Sequence, residues 1–178
     1  MNNFNDKKIL FIVRGYPGLG RVIPCYAIFR SLQKKGLNDY LFISYLAGFE
    51  YLKNRGVKCK EISPPAGNFI ELISPQFEEI LYQIKLIKPD LICIDGEPYL
   101  PIIFKKIGYK ILYFGNQFDF FGKNNHFRFI SNHLIDFVDK VIIPTLYWEE
   151  FSSNPYPSKM IITPLPIKIP NRYLERFT

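Results

Sequence analysis

The 178 residues are the length of one domain, and with 48% apolar and 22% charged they have the composition of an ordinary globular chain, not of a disordered or fibrous one. A net charge of +7 turns the surface toward anionic partners: nucleic acid, phosphorylated substrates and an anionic membrane surface are all compatible, as is a plain lysine-rich solvated face. No stretch reaches the roughly 18 apolar residues of a membrane span, and the opening residues are too polar for a secretory signal.

Residues 8–14 (KILFIVR) form a β-branched and aromatic run that predicts a buried strand. A glycine loop, 15–20 (GYPGLG), follows, and then an amphipathic helix over 21–35 stopped by Gly36. A second strand is expected over 40–45, a short helix over 49–55 ended by Gly56, and a third strand over 57–62. Residues 63–68 (SPPAGN) read as loop. Ser74 and Pro75 then supply a cap and a first-turn proline for a helix to about Ile87, with Phe77, Ile80, Leu81, Ile84 and Ile87 at helical spacing. Pro89 and Asp90 break it before a central strand, 91–94 (LICI), apolar on both faces. A helix over 99–107, a strand over 110–114, a helix over 127–137, a strand over 140–143 and a last short strand over 160–162 complete the pattern.

Strands alternating with helices imply right-handed crossovers and a doubly wound parallel sheet of six or seven strands, an α/β Rossmann-like domain over residues 1–163. The tail, 164–178, opens with three prolines in seven residues (PLPIKIP) and reads as a linker toward a further domain. The cysteines, Cys25, Cys59 and Cys93, are odd in number, far apart and without a C-x-x-C. They argue against a zinc site or a redox pair and read as buried thiols in a reducing, cytoplasmic setting.

In such sheets ligands bind at the carboxyl ends of the strands, which singles out the loop after the first strand. Its glycines allow close backbone approach, and the helix that follows offers free N–H groups and a partial positive charge. The spacing G-x-x-G-x-G is not the dinucleotide fingerprint, and the second strand ends in Ser44 and Tyr45 with no acid for a ribose hydroxyl. No G-K-[ST] follows either, so NAD, FAD and P-loop readings fall away. Arg21 opposes the helix macrodipole and is better placed facing an anion, or else swings out to solvent.

Residues 15–24 (GYPGLGRVIP) resemble the G-x-G-G-H-[VI]-x-P segment of the family 28 glycosyltransferases, a group with MurG-type members and archaeal relatives. Residues 89–117 are similar to the archaeal-type pattern in which one strand ends in D-x-E-P and the next near an N-Q pair; Asp95, Glu97, Pro98, Asn116 and Gln117 fall on it. The resemblance implies the N-terminal, acceptor-side lobe of a GT-B enzyme. Its chemistry would be transfer of a sugar from a nucleotide-diphosphate donor, with no bound metal and no other cofactor. The donor would be held mainly by a C-terminal domain that the sequence lacks, or by a separate subunit.

By that likeness Gly18, Leu19, Gly20, Arg21, Asn116 and Gln117 contact substrate. Arg21 stands where the family carries a histidine, and an arginine does not act as a base. Either Asp95 or Glu97 takes that role, or Arg21 holds an anionic group of the acceptor and is itself held by one of the two acids. The bland alternative makes 95–98 (DGEP) a turn leading into an acidic first helical turn.

The segment 114–130 (FGNQFDFFGKNNHFRFI) interleaves phenylalanines with Lys123, His126 and Arg128 on the expected crevice rim. Core packing, contact with a sugar or lipid-linked acceptor at a membrane surface, and stacking on single-stranded nucleic acid all suit it, the last being disfavoured. His126 and His133 stand seven apart without nearby acids, a poor metal site. A nucleotide-sugar epimerase lobe and a non-catalytic ligand- or partner-binding module are the competing readings.

Overall fold

The computed structural model describes residues 4–16, 18–64, 74–115, 133–145 and 156–164. The first half runs β1 (Lys8–Val13), α1 (Val22–Gln33), β2 (Asp39–Ser44), α2 (Leu46–Lys53), β3 (Cys59–Glu61) and α3 (Ser74–Ile87). The second runs β4 (Leu91–Asp95), α4 (Leu100–Lys106), β5 (Ile111–Phe114), a 3-10 turn (Ile135–Phe137), β6 (Lys140–Thr145) and β7 (Met160–Pro164).

The strands form one seven-stranded sheet in the order β3-β2-β1-β4-β5-β6-β7, with every pairing parallel. The doubly wound α/β architecture is therefore as the alternation of elements predicts. The chain builds outward from β1 through β2 to β3, then returns to the other side of β1 and builds outward again from β4. That reversal leaves a crevice above the carboxyl ends of β1 and β4, where no crossover covers the sheet.

The strands bury both faces. On β1, Ile9, Phe11 and Val13 pack with Val22, Cys25 and Phe29 of α1 and Leu52 of α2. Leu10 and Ile12 on the same strand pack with Ile80 and Ile84 of α3 and Phe104 of α4. Two-residue periodicity thus feeds two cores from one strand, which is why its sequence reads as a continuous apolar run. Aromatic rings fill the α1/α2 side. Phe11 and Phe42 stack at 4.5 Å, and the Phe29 ring meets both edge-on at 5.7 and 5.1 Å. Such pairs stabilise by about 0.5–1.5 kcal/mol beyond their buried area.

Several boundaries move from their expected positions. Arg21 is the N-cap of α1, not its first residue, and Tyr45 leaves the second strand to become the N-cap of α2, which begins at Leu46 instead of Phe49. The third strand shortens from six expected residues to three because it is the sheet's edge, paired on one side alone. That also corrects Cys59, which is half-buried, whereas Cys25 and Cys93 are buried. The described end of the helix expected over 127–137 closes as the 3-10 turn. Asn116, Gln117, His126 and the rest of the aromatic segment from residue 116 lie outside the described residues, as does the expected linker beyond Pro164.

Asp139 fastens the second half. Its carboxylate accepts from Lys105 Nζ at 2.6 Å and from the Ile111 backbone N–H at 2.8 Å, joining α4 to the start of β5. Partial burial pushes its pKa up, but these donors outweigh that and hold it below the usual range. A carboxylate with a lowered folded pKa stabilises the fold above its unfolded value, near 3.9, and loses that contribution as the pH falls through the folded pKa. Asp139→Asn is therefore expected to lower the thermal midpoint at pH 7, with the gap to wild type closing as the pH falls through the lowered folded pKa, as followed by circular dichroism.

Candidate functional site

The carboxyl ends of β1, β2 and β4 are bound tightly to one another. Val13 and Asp95 are register partners, the Arg14 N–H donates to Asp95 O at 3.0 Å, and Ser44 Oγ donates to Val13 O at 2.8 Å. Gly15 and Gly48 then let α2 press on the loop after β1. A Cβ on Gly15 would lie 1.8 Å from Tyr45 O, and one on Gly48 would lie 2.6 Å from Gly15 Cα and 2.5 Å from Ser44 Oγ. Gly18 and Gly20, by contrast, are exposed with nothing within 4 Å of where a Cβ would sit. Only these two loop glycines leave backbone open to a ligand; Gly15 is spent on packing. Leu19, half-buried between them, packs onto the α1/α2 core.

Arg21 leans back over this edge and pairs with Asp95, Nη1 to Oδ1 at 3.1 Å, with 24% and 5% of the two side chains exposed. The guanidinium is thus held by the acid at the end of β4, one of the two arrangements the sequence leaves open. Gly96, at φ +83°, turns the chain directly after Asp95; a Cβ there would lie 2.7 Å from Arg14 Cβ. The turn delivers Glu97, whose Oε1 accepts from the Tyr45 hydroxyl at 2.8 Å.

Burial pushes the Glu97 carboxyl above its ordinary value, although the Tyr45 hydrogen bond and the charges of Arg14 and Arg21 work against the rise. The cause of the desolvation is visible: Glu97 and Tyr45 form part of the wall of a cavity of about 40 Å³ whose other walls include Ile12, Ile43, Ile80 and Ile103. The Tyr45 hydroxyl is pushed far upward as well, first by burial and then by the Glu97 charge, so it remains a donor at every ordinary pH. Two acids two residues apart thus meet different surroundings. Asp95 is locked in an ion pair, and Glu97 sits against apolar walls with a carboxyl biased toward protonation.

The structure brings together Arg21, Asp95 and Glu97, all singled out from the sequence, and leaves Gly18 and Gly20 exposed in the loop that leads into Arg21. Sequence reasoning missed Arg14, Tyr45 and Gly48. Arg14 is a cation placed directly after an apolar strand, a visible signal. The closeness of Tyr45 and Gly48 depends on β2 lying beside β1, which no local pattern reveals.

No protein-family model and no curated protein matches the sequence. Among solved structures, the chain is similar to MurG of Acinetobacter baumannii at 15% identity and a TM-score of 0.59, over 91% of this chain and 46% of that one. It is similar to a glycosyltransferase of Rickettsia africae ESF-5 at 15% identity and a TM-score of 0.63, over 98% and 49%. The UDP-GlcNAc 2-epimerase of Methanocaldococcus jannaschii is alike at 15% identity and a TM-score of 0.62, over 87% and 45%. The fold is accordingly that of one Rossmann-like lobe of the GT-B architecture, and the chain spans about half the length of the structures it matches.

The glycines separate by what each touches. Gly15→Ala, Gly48→Ala and Gly96→Ala should each cost about 1–3 kcal/mol through overpacking, whereas Gly18→Ala and Gly20→Ala should stay within about 0.5 kcal/mol of wild type by urea denaturation. Glu97 gives a pH signature of opposite sign to Asp139. A raised folded pKa favours the fold below the unfolded value and loses that advantage as pH rises. Glu97→Gln should therefore equal or exceed wild type in thermal midpoint at pH 7, the difference closing toward pH 4.

Proposed function

We propose that this chain is the acceptor-binding lobe of a glycosyltransferase, inactive alone, in which Glu97 takes the proton of the acceptor hydroxyl. The observation that carries the reading is the pair of unlike acids at the strand-reversal crevice of a GT-B lobe, beside the open backbone of Gly18 and Gly20. Attack of an acceptor oxygen on the anomeric carbon of a nucleotide-diphosphate sugar forms the glycosidic bond and releases the nucleoside diphosphate. The hydroxyl proton passes to a base, and a carboxylate whose affinity for protons is raised by apolar walls suits that task better than one locked to arginine. Asp95 then orients Arg21, which stands at the N-terminal end of α1 to meet an anionic group of the acceptor or of the departing diphosphate.

The donor is held mainly by a second lobe, as a domain or subunit, and the acceptor is a sugar, a lipid-linked molecule or another hydroxyl compound. We place the protein in the cytoplasm, where it would meet a membrane-borne acceptor at the membrane surface; among the described residues no helix is long and apolar enough to cross a membrane. Membership of family 28 stays part of this proposal, resting on the motif likeness. The likeness to an epimerase supports a second reading, in which the same crevice serves a donor rearranged without any acceptor.

The test is release of nucleoside diphosphate from a panel of UDP- and GDP-sugars, using the chain produced together with the segment encoded downstream of it. Acceptor-dependent release that falls about 100-fold or more in Glu97→Gln is the expected result. Acceptor-independent conversion of the sugar to its epimer would establish the second reading instead. Wild-type turnover in both Glu97→Gln and Asp95→Asn would remove both acids from the chemistry.

A further inference from the structure

Tyr45 occupies a position that neither the motif likeness nor the proposed transfer accounts for. Its side chain is 2% exposed, yet its hydroxyl reaches across from the end of β2 to the acid that follows β4, a span of 52 residues in sequence. The backbone that carries it is clamped. Tyr45 is extended, with ψ at 159°, and its carbonyl accepts from the Gly48 and Phe49 N–H groups while Gly15 presses against it. The next residue, Leu46, sits at φ +50°, a left-handed conformation that costs a leucine about 1–2 kcal/mol and persists only where the surroundings over-determine it. A phenol fixed this firmly presents its oxygen at one place, and Glu97 Oε1 is at that place.

We propose that Tyr45 is a positioning residue: its hydroxyl fixes Oε1 of Glu97 and leaves Oε2 as the oxygen that exchanges a proton with substrate. This rests on the reading of Glu97 as the proton acceptor. The hydrogen bond does two things at once. It fixes the carboxylate plane, which a glutamate with three rotatable bonds otherwise samples broadly. It also favours the charged form of Glu97, offsetting part of the desolvation imposed by the apolar walls. The groups that face Glu97 are Tyr45 at the start of α2, Arg14 after β1, Arg21 at the start of α1, and Asp95 and Tyr99 on either side of it in sequence. Of these, Tyr45 is the one that donates a hydrogen bond to it while lying wholly beneath the surface.

The experiment has two parts. In the chain as it stands, carbon-13 labelled at glutamate carboxyls and tyrosine Cζ, the Tyr45 and Glu97 signals should step at the same pH, and the Tyr45 step should vanish in Glu97→Gln. In Tyr45→Phe, which keeps the ring, the Glu97 midpoint should rise by about one pH unit or more. With the donor lobe present, the acidic limb of the rate profile should move by the same amount, with KM little changed. A Tyr45 signal that ignores the Glu97 titration, or a Glu97 midpoint that stays put in Tyr45→Phe, overturns the proposal. Should Tyr45→Phe not fold, the coupled step in the wild-type chain decides by itself. Coupling in the spectra without acceptor-dependent turnover would instead uphold the Tyr45–Glu97 unit and refute the transferase reading.

Discussion

The register of β1 against β4 is the constraint on which the site depends. Because Val13 lies beside Asp95, the first loop and the fourth leave the sheet at the same height and on adjacent strands. Arg21, eight residues beyond Val13, then reaches Asp95 across a gap that a shift of one residue would turn to the opposite face. The same register places Arg14 against Gly96, and the left-handed turn at Gly96 carries Glu97 over to Tyr45. An arginine, two acids and a tyrosine from three segments thus share one edge because two buried strands align in one way. The apolar side chains that enforce that alignment are buried on both faces of the sheet.

Burial differentiates the two acids more than their chemistry does. The Asp95 side chain is only 5% exposed, a costly place for a charge without a partner, and Arg21 supplies one. Glu97 has the weaker support of a neutral phenol and more distant arginines, and apolar walls on the other side. A histidine in place of Arg21 would offer Asp95 a partner able to exchange a proton. With arginine the charge on that side is permanent, which is why the proposed transfer assigns the proton to the acid that is less firmly held. The arginine at position 21 and the unusual setting of Glu97 are in this sense two sides of one arrangement.

Much of the fold was legible because its signals are local. Apolar runs such as 8–14 and 91–94 mark strands buried on both faces, and Gly36 and Gly56, both at positive φ in the turns after α1 and α2, mark helix ends. The acids and Arg21 were legible as anomalies of charge beside expected strand ends. What could not be read was adjacency. That Tyr45 belongs to the start of α2 follows from a left-handed Leu46, which no propensity predicts, and that Gly48 matters follows from the proximity of Gly15. The third strand was overestimated for a related reason: its composition suits a strand throughout, but the number of neighbours is a property of the sheet.

The strand order also bears on how the chain acquires its structure. Neighbouring strands elsewhere in the sheet are joined by connections of 14 to 25 residues, whereas Lys8 and Asp90, bonded at the start of the β1–β4 pair, are 82 residues apart. Closing so long a loop costs about 1 kcal/mol more than closing one of roughly twenty residues, and contacts of that separation slow folding. Each half, β1 to β3 and β4 to β7, has more local pairings and is favoured to assemble before the two are zipped together along β1 and β4. The seam where they meet is the floor of the crevice, so Arg21 and Asp95, or Tyr45 and Glu97, come within reach only at the last stage of that order of events.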